Sequence, residues 1–571
     1  MSCFEGTGLT LSEKTSQREN QVFLLLTLAI GALTGLAVVA FILVTERLGM
    51  RLYPVGSASW RRVLIPIGGS LVSGYLLFRF FPNARGSGVP QTKAALFARE
   101  GVITFRTVLG KFFCTSVTLA AGIPLGREGP AVQVGGGIAS VLGRSLELRP
   151  EKVKELLPVG AAAAIAAAFN TPLAGVLFAL EEVMGDLHAT VLGSVVLASA
   201  TSWVVLRLFL GNNPLFSVPQ YRLVHPLEFL IYAILGIAGG LVSAAFTKLL
   251  LVMRERFLQF PRSTLWFQPV AGGLLVGLMG WFVPQVLGVG YTYVGDALNG
   301  RMALQLMSLL VVLKLLGATT SYASGNAGGI FGPSLFIGAM LGGAVGTLAH
   351  HTFPAYTATS GAYALVGMGT VFAGIVRAPM TSVVMIFETT RDYAVIVPLM
   401  ISNLVSFFVS SRLQREPIYN ALAFQDGIHL PRTETRQQHS LQQVSKAIQP
   451  ATETLPQEIT IAEALAQTRS SAFRAWPVTD GQRVVGVIGL QTLEREARGS
   501  TTAVRLAEIV DPTNFPHVHR DQPLSLALER MGEVGLELLP VVSRGNMNKL
   551  EGVVTLSGVL DSFGINRETK S

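Results

Sequence analysis

Apolar runs long enough to cross hydrocarbon alternate along this chain with shorter apolar runs broken by glycine and proline. Residues 22–44, 227–253 and 302–316 approach or exceed the roughly 20 residues that a helix needs to span a bilayer. The shorter runs cannot lie against lipid as they stand, because hydrocarbon offers no partner to an unpaired backbone group. They belong inside protein or beside a wet cavity, so the pattern predicts an all-helical polytopic membrane domain that encloses a pathway. The first long run follows a polar tail, residues 1–20, and no small-x-small cleavage site follows it, so it is expected to be a retained span. After Phe424 the chain turns polar and charged, which predicts a soluble domain over 425–571.

The apolar region repeats itself. Residues 111–143 align without a gap on 314–346, a shift of 314 − 111 = 203, and Gly122, Gly126, Gly129, Pro130, Gly135 and Gly143 fall on Gly325, Gly329, Gly332, Pro333, Gly338 and Gly346. Upstream, Pro66, Gly69 and Gly74 fall on Pro269, Gly272 and Gly277; downstream, Pro172 and Glu181 pair with Pro379 and Glu388. Two halves are implied, about 21–212 and 225–412, with an exit segment to 424. Matching Gly/Pro-interrupted spans in two halves point to a transport site between them. Hydropathy alone leaves open whether the halves are inverted or parallel.

The polar tail carries its own duplication. Ile459-x-Ile461-x-x-Ala464-Leu465, Trp476-Pro477-Val478 and Val485-Gly486-Val487-Ile488 are similar to Leu524-x-Leu526-Ala527-Leu528, Leu539-Pro540-Val541-Val542 and Gly552-Val553-Val554-Thr555-Leu556. Each copy reads helix, strand, turn, strand, helix, and the tail resembles a pair of CBS modules, about 440–505 and 506–571.

Half of the 571 residues are hydrophobic and 14% are charged, against roughly 25% charged in soluble chains, so bilayer is the solvent. The net charge of +9 does not indicate a nucleic-acid partner, because the basic residues gather at span ends, as at Arg51, Arg61, Arg62, Arg412 and Arg415, where they serve as cytosolic anchors. Two cysteines, Cys3 in the polar tail and Cys114 in an apolar run, make no disulfide framework.

Three segments share one design, a Gly-rich turn leading to proline at the expected start of an apolar helix: Gly86-Ser87-Gly88-Val89-Pro90, Gly126-Arg127-Glu128-Gly129-Pro130 and Gly329-Ile330-Phe331-Gly332-Pro333. Proline suits the first helical turn, where its missing N–H would have no partner, and glycine admits an ion close to the backbone. Helix N-termini that converge in this way make an anion site without a full cation in contact. GSGVP, GREGP and GGIFGP, in this order and spacing, resemble the signature segments of the CLC chloride channel and transporter family, and Arg415-Glu416-Pro417-Ile418-Tyr419 resembles its fourth. The likeness covers about 21–424.

The resemblance implies two inverted halves, a homodimer with one pore in each subunit, and a central chloride held by the hydroxyls of Ser87 and Tyr419 and the N–H groups of Ile330 and Phe331. A more external anion position falls to the N–H groups of Arg127, Glu128 and Gly129. Serine at 87, where nitrate-selective members tend to have proline, favours chloride. Glu128 falls opposite Phe331 in the repeat (331 − 128 = 203), and a carboxylate at a positive helix end can take the place of the anion until a proton releases it. It is the expected gate and external proton acceptor. Glu182 resembles the internal proton glutamate of CLC antiporters, which favours chloride/proton exchange, with a passive chloride channel of the same fold as the alternative. A nucleotide-sensing receptor that transports nothing would not bring Ser87, Glu128 and Tyr419 together. Glu181, paired with Glu388, is assigned to structure; Lys111 and Lys314 are expected to snorkel to the interface.

No enzymatic activity, metal or cofactor is expected. In CBS pairs a Thr or Ser followed three residues later by Asp grips a ribose, but here Gly558 follows Thr555, and Gly489 and Thr492 stand in the other copy. The tail is therefore expected to be structural or dimer-stabilising and not to bind adenine nucleotide. The expected setting is the bacterial inner membrane, with both termini cytosolic.

Overall fold

The computed structural model describes residues 11–563 except 55, 188–190, 212–214, 217, 219, 220, 222, 431–441, 482, 500–503, 513 and 514. The chain forms two compact units, Met1–Leu430 and Pro431–Ser571. Within the first, the opening half carries helices α1 (Leu11–Leu52), α2 (Arg61–Arg79), α3 (Val89–Ala98), α4 (Phe105–Ala120), α5 (Glu128–Ser145), α6 (Pro150–Phe169), α7 (Pro172–Phe178) and α8 (Leu192–Leu210). The second half repeats them in order as α9 (Glu228–Leu258), α10 (Pro269–Phe282), α11 (Tyr291–Leu298), α12 (Leu304–Ala323), α13 (Phe331–Thr352), α14 (Ser360–Val376), α15 (Pro379–Thr390) and α16 (Ile396–Leu413), and a short α17 (Ile418–Gln425) follows. The first helix starts at Leu11, inside the expected tail, because residues 11–20 are mostly good helix formers despite their polarity.

Six helical stretches among the described residues are long and apolar enough to cross a bilayer, and this is an integral membrane protein. Large apolar side chains such as Leu208, Phe209, Leu230, Ile234 and Phe408 point outward, as a hydrocarbon solvent allows. The Ala- and Gly-rich α6 and α14 are buried along nearly their whole length. Glycine sets how closely they pack: a Cβ on Gly135 would stand 2.2 Å from the Gly160 carbonyl oxygen, and one on Gly338 2.2 Å from that of Gly367. The α5–α6 crossing in one half is thus rebuilt as the α13–α14 crossing in the other, with backbones in near contact.

The halves are related by an approximate two-fold axis, and one bond pair locates it. Gly126 N–H donates to the Gly329 carbonyl and Gly329 N–H donates to the Gly126 carbonyl, each at 2.7 Å, in an antiparallel bridge. These residues are equivalents in the repeat, so the copies meet head to head. The N-termini of α5 and α13 face each other there, which makes the halves inverted.

Two carboxylates repeat the symmetry. Glu181 accepts from the N–H groups of Met380 and Thr381 at the start of α15, and Glu388 accepts from those of Leu173 and Ala174 at the start of α7. Each closes orphan donors at a helix N-terminus of the other half.

The second unit is α/β. Strands β1 (Leu455–Pro456), β2 (Ala475–Asp480), β3 (Arg483–Gly489), β4 (Leu538–Ser543) and β5 (Asn546–Thr555) form one sheet in the order β1-β2-β3-β5-β4. Helices α18 (Ile461–Thr468) and α19 (Leu490–Gly499) flank the first antiparallel pair, and α20 (Leu524–Val534) and α21 (Leu556–Ser562) the second. Pro477 pairs with Val487 and Pro540 with Val553, so the duplicated Pro-Val strands hold the same place in each copy. Cys114 is buried and unbonded; Cys3 lies outside the described residues.

Candidate functional site

Four chain segments bring the sequence-selected residues together around the Gly126–Gly329 bridge. Gly88, at φ +108°, ends the first turn in a conformation closed to other residues, and its N–H is held by the Gln91 side chain at 2.8 Å as α3 begins. The turn presses Ser87 onto α5: a Cβ on Gly129 would come within 2.7 Å of both the Ser87 carbonyl and hydroxyl oxygens, and 3.4 Å from the Gly329 Cα. Tyr419 arrives on α17, which is fixed at both ends. At one end Arg377 donates to the carbonyls of Gln414 and Arg415; at the other Arg254 binds the Gln425 amide at 3.0 Å and the Asp426 carboxylate at 2.5 Å. The Tyr419 phenol, fully buried, lies next to the Ser87 hydroxyl.

The Ser87 and Tyr419 hydroxyls face each other without closing a well-formed hydrogen bond, and they and one oxygen of Glu128 are buried polar atoms with no other protein partner among the described residues. Folded proteins leave few buried polar groups unsatisfied, and although other buried oxygens and nitrogens here also lack a protein partner, three that gather at two helix N-termini indicate a site for a polar ligand. Ile330 and Phe331 supply the start of α13, and the Phe331 ring packs against Phe169, Phe178 and Phe372 with centroids 5.1, 5.6 and 4.3 Å away. The ligand position is thus polar on its helix-end side and apolar behind.

Two tyrosines that sequence reasoning missed also reach this site. Ser87 N–H donates to the Tyr322 hydroxyl at 3.2 Å. Tyr291, the first residue of α11, donates from its hydroxyl to the Glu128 carboxylate. A signal for Tyr291 existed in a second Gly-x-Gly turn, Gly288-Val289-Gly290, which lies 202 positions after Gly86-Ser87-Gly88 (288 − 86 = 202). Its lack of a following proline hid it.

Glu182 sits where α7 loosens into a π-helical turn, Ala179–Met184, closed by Gly185 at φ +69°. Such turns concentrate at functional positions. Its carboxylate pairs with the Lys93 ammonium at 2.8 Å, with only 7% and 12% of the two side chains exposed. Lys93 belongs to α3, the helix that Ser87 leads into, so the Glu182 carboxylate is tied to an element of the candidate anion site.

Lys111 and Lys314 do not snorkel, contrary to the expectation from sequence. Both are fully buried: Lys111 donates to the Gly86 carbonyl at 2.7 Å, and Lys314 to those of Val286 and Gly288 at 3.1 and 2.6 Å. Each clamps the Gly-x-Gly turn of its own half, and a bound carbonyl cluster replaces the water that a long side chain would otherwise seek. Beside Gly86 and Tyr322 lies a cavity of about 360 Å³, with Arg85, Arg99 and Arg254 against the single carboxylate of Asp426 on its wall. The cavity wall is net positive.

Residues 68–411 match the family model described as voltage gated chloride channel. The chain belongs to that family. Residues 506–564 match the CBS domain model. The "H(+)/Cl(-) exchange transporter ClcA" of Vibrio campbellii is 32% identical over 366 residues, which cover 63% of this chain and 78% of that relative. The protein of the same name from Yersinia pseudotuberculosis is 32% identical over 451 residues, 76% of this chain and 92% of that one. The crystal structure of a slow cyanobacterial Cl⁻/H⁺ antiporter superposes with a TM-score of 0.66 at 28% identity, covering 71% of this chain and 97% of that one. In this voltage-gated chloride channel family member the inverted halves, the helix-end convergence and the paired Glu182 carboxylate all lie within or beside the matched span.

Proposed function

We propose that this chain is a secondary transporter that exchanges chloride for protons across the membrane. The observation that carries the reading is the position of Glu128: its carboxylate shares the α5 and α13 helix ends with the buried hydroxyls of Ser87 and Tyr419. A carboxylate and a chloride compete for one positive locus there, so a proton on Glu128 and an anion in the site favour each other. Chloride is held by the Ser87 and Tyr419 hydroxyls and the N–H groups of Ile330 and Phe331, and more externally by those of Arg127, Glu128 and Gly129. Dipoles of this kind replace hydration without fixing the ion permanently. The arginine-lined cavity raises the local anion concentration on one approach.

Glu182 is the inner proton station. It lies off the anion route, and its ion pair with Lys93 holds it in place until a proton arrives. The names of the ClcA relatives and of the cyanobacterial neighbour support exchange over passive conduction. We further propose a homodimer in a bacterial inner membrane with both termini cytosolic, lipid on its outward apolar faces, and a CBS pair that takes no nucleotide. The test is the reversal potential of the purified protein in liposomes under a pH gradient. Exchange moves it away from the chloride equilibrium potential as the gradient grows; a potential that stays at chloride equilibrium at every pH refutes the proposal.

A further inference from the structure

The Glu128 carboxylate has one hydrogen-bond partner among the described residues, and that partner is not a helix end but the Tyr291 hydroxyl. The tyrosine is held on every side. Its ring stands edge-on to Phe216 with centroids 5.6 Å apart, and the Arg127 guanidinium lies 5.6 Å from its centroid. Arg127 itself reaches Glu46 at 3.8 Å, so the residue before the glutamate folds over the ring that holds the glutamate.

The backbone beneath Tyr291 is equally fixed. Lys314 grips the carbonyls of Val286 and Gly288, Gly288 N–H donates to the Gly122 carbonyl at 2.6 Å, and Gly290 turns the chain into α11 at φ +86°. Val289 fills the other side, 3.0 Å from where a Cβ on Gly332 would stand. A rigid phenol on a clamped turn therefore faces a glutamate on a flexible stem.

We propose that Tyr291 is a positioning residue for the Glu128 gate, a latch that retains the ionised carboxylate over the helix ends and lets it go once it is protonated. This rests on the gate reading above. A hydrogen bond to a charged acceptor is about twice as strong as one to a neutral acceptor, so the latch grips the carboxylate and loosens on the acid. Packing alone does not require the hydroxyl, because a phenylalanine would lie equally well between Phe216 and Arg127. The repeat supports the pairing: Glu128 answers to Phe331, and Tyr291, by the Gly-x-Gly alignment, to Val89 (291 − 89 = 202). Acid and phenol come from opposite halves, and both counterparts are apolar. The charged or titratable groups around the pair are Arg127 beside Glu128, Tyr419 across the site, Glu46 beyond Arg127, and Lys314 behind the turn.

The experiment is a double-mutant cycle on the full-length protein in liposomes, with wild type, Tyr291→Phe, Glu128→Ala and the double variant. Initial chloride efflux is recorded from acid to alkaline pH. Tyr291→Phe is expected to speed efflux about tenfold where wild type is slow, the factor that a lost charge-assisted bond of about 1.4 kcal/mol gives, and to move the pH of half-maximal efflux upward. In the Glu128→Ala background the same change should alter neither rate nor profile. A Tyr291→Phe protein with the wild-type rate and profile overturns the latch. So does an equal effect in both backgrounds, which would make Tyr291 part of the pathway wall. The chloride arm needs no proton movement, so absence of proton coupling in wild type would refute the exchange reading separately.

Discussion

Replacing Glu181 with alanine removes three hydrogen bonds from the start of α15: from Met380 N–H at 3.2 Å, Thr381 N–H at 2.7 Å and the Thr381 hydroxyl at 2.7 Å. They do not count equally. Met380 is about half exposed, so water can serve its amide, and the Thr381 hydroxyl can turn to a carbonyl of its own helix. The Thr381 N–H is buried and carries most of the loss, about 2 kcal/mol for a charged partner, with about 0.5–1 kcal/mol more from the lost carboxylate at a helix N-terminus. Glu388→Ala removes two bonds, one of them to the exposed Leu173, and should cost about 2 kcal/mol in total. At about 1 °C per kcal/mol for a unit of this size, thermal melts of detergent-purified protein should place Glu181→Ala roughly 3 °C below wild type, Glu388→Ala in between, and Glu181→Gln near wild type. Both alanine variants should keep the wild-type ratio of proton to chloride flux. A Glu181→Ala protein that melts with wild type refutes the helix-end role, and one that also moves no protons would place Glu181 in transport.

Other expected outcomes concern the site. Ser87→Pro should shift preference from chloride toward nitrate in liposome uptake of the two anions; an unchanged preference removes Ser87 from selectivity. Glu128→Ala should pass chloride without protons, and Glu182→Gln should stop proton uptake while chloride still moves, because Ser87, Tyr419 and the helix ends are untouched; external pH recorded beside chloride efflux checks both. Calorimetry on the full-length protein with ATP, ADP or AMP at physiological concentrations should give no saturable heat, since Gly558 offers no carboxylate and its N–H is already taken by Thr555 at 3.1 Å; micromolar binding would refute this.

The parts legible in sequence were those that depend on backbone chemistry. Proline at the start of α7 and α15 repeats at a shift of 207 (379 − 172 = 207) and glycine where α5 and α13 are crossed at a shift of 203 (338 − 135 = 203), so the two halves and the signature turns could be read directly. The pairing of Glu181 with Glu388 marked them as structural, although only the fold shows that each serves the other's helix. Side-chain partnerships between distant segments left no such trace. Tyr291 and Glu128 are 163 positions apart, Lys93 and Glu182 are 89 apart, and neither contact has a spacing rule. The lysines were misjudged for a related reason: snorkelling is the ordinary behaviour of a lone cation near an apolar run, and the carbonyls that hold Lys111 and Lys314 below the surface come from loops more than 20 residues away.

The reciprocal bonds between Gly126 and Gly329 carry one more implication. The repeated part of the backbone, two copies set head to head, looks much the same from either face of the membrane, and α17, which has no counterpart in the opening half, is where the frame departs from that match. Within the repeat, one face differs from the other through the side chains that break the match, among them Ser87 against Val289, Glu128 against Phe331, Tyr291 against Val89, and Glu182 against Thr389 (389 − 182 = 207, the offset of Glu181 and Glu388). On the proposed reading, these substituents and α17 decide which face each proton station serves, while the direction of net exchange is set by the chloride and proton gradients.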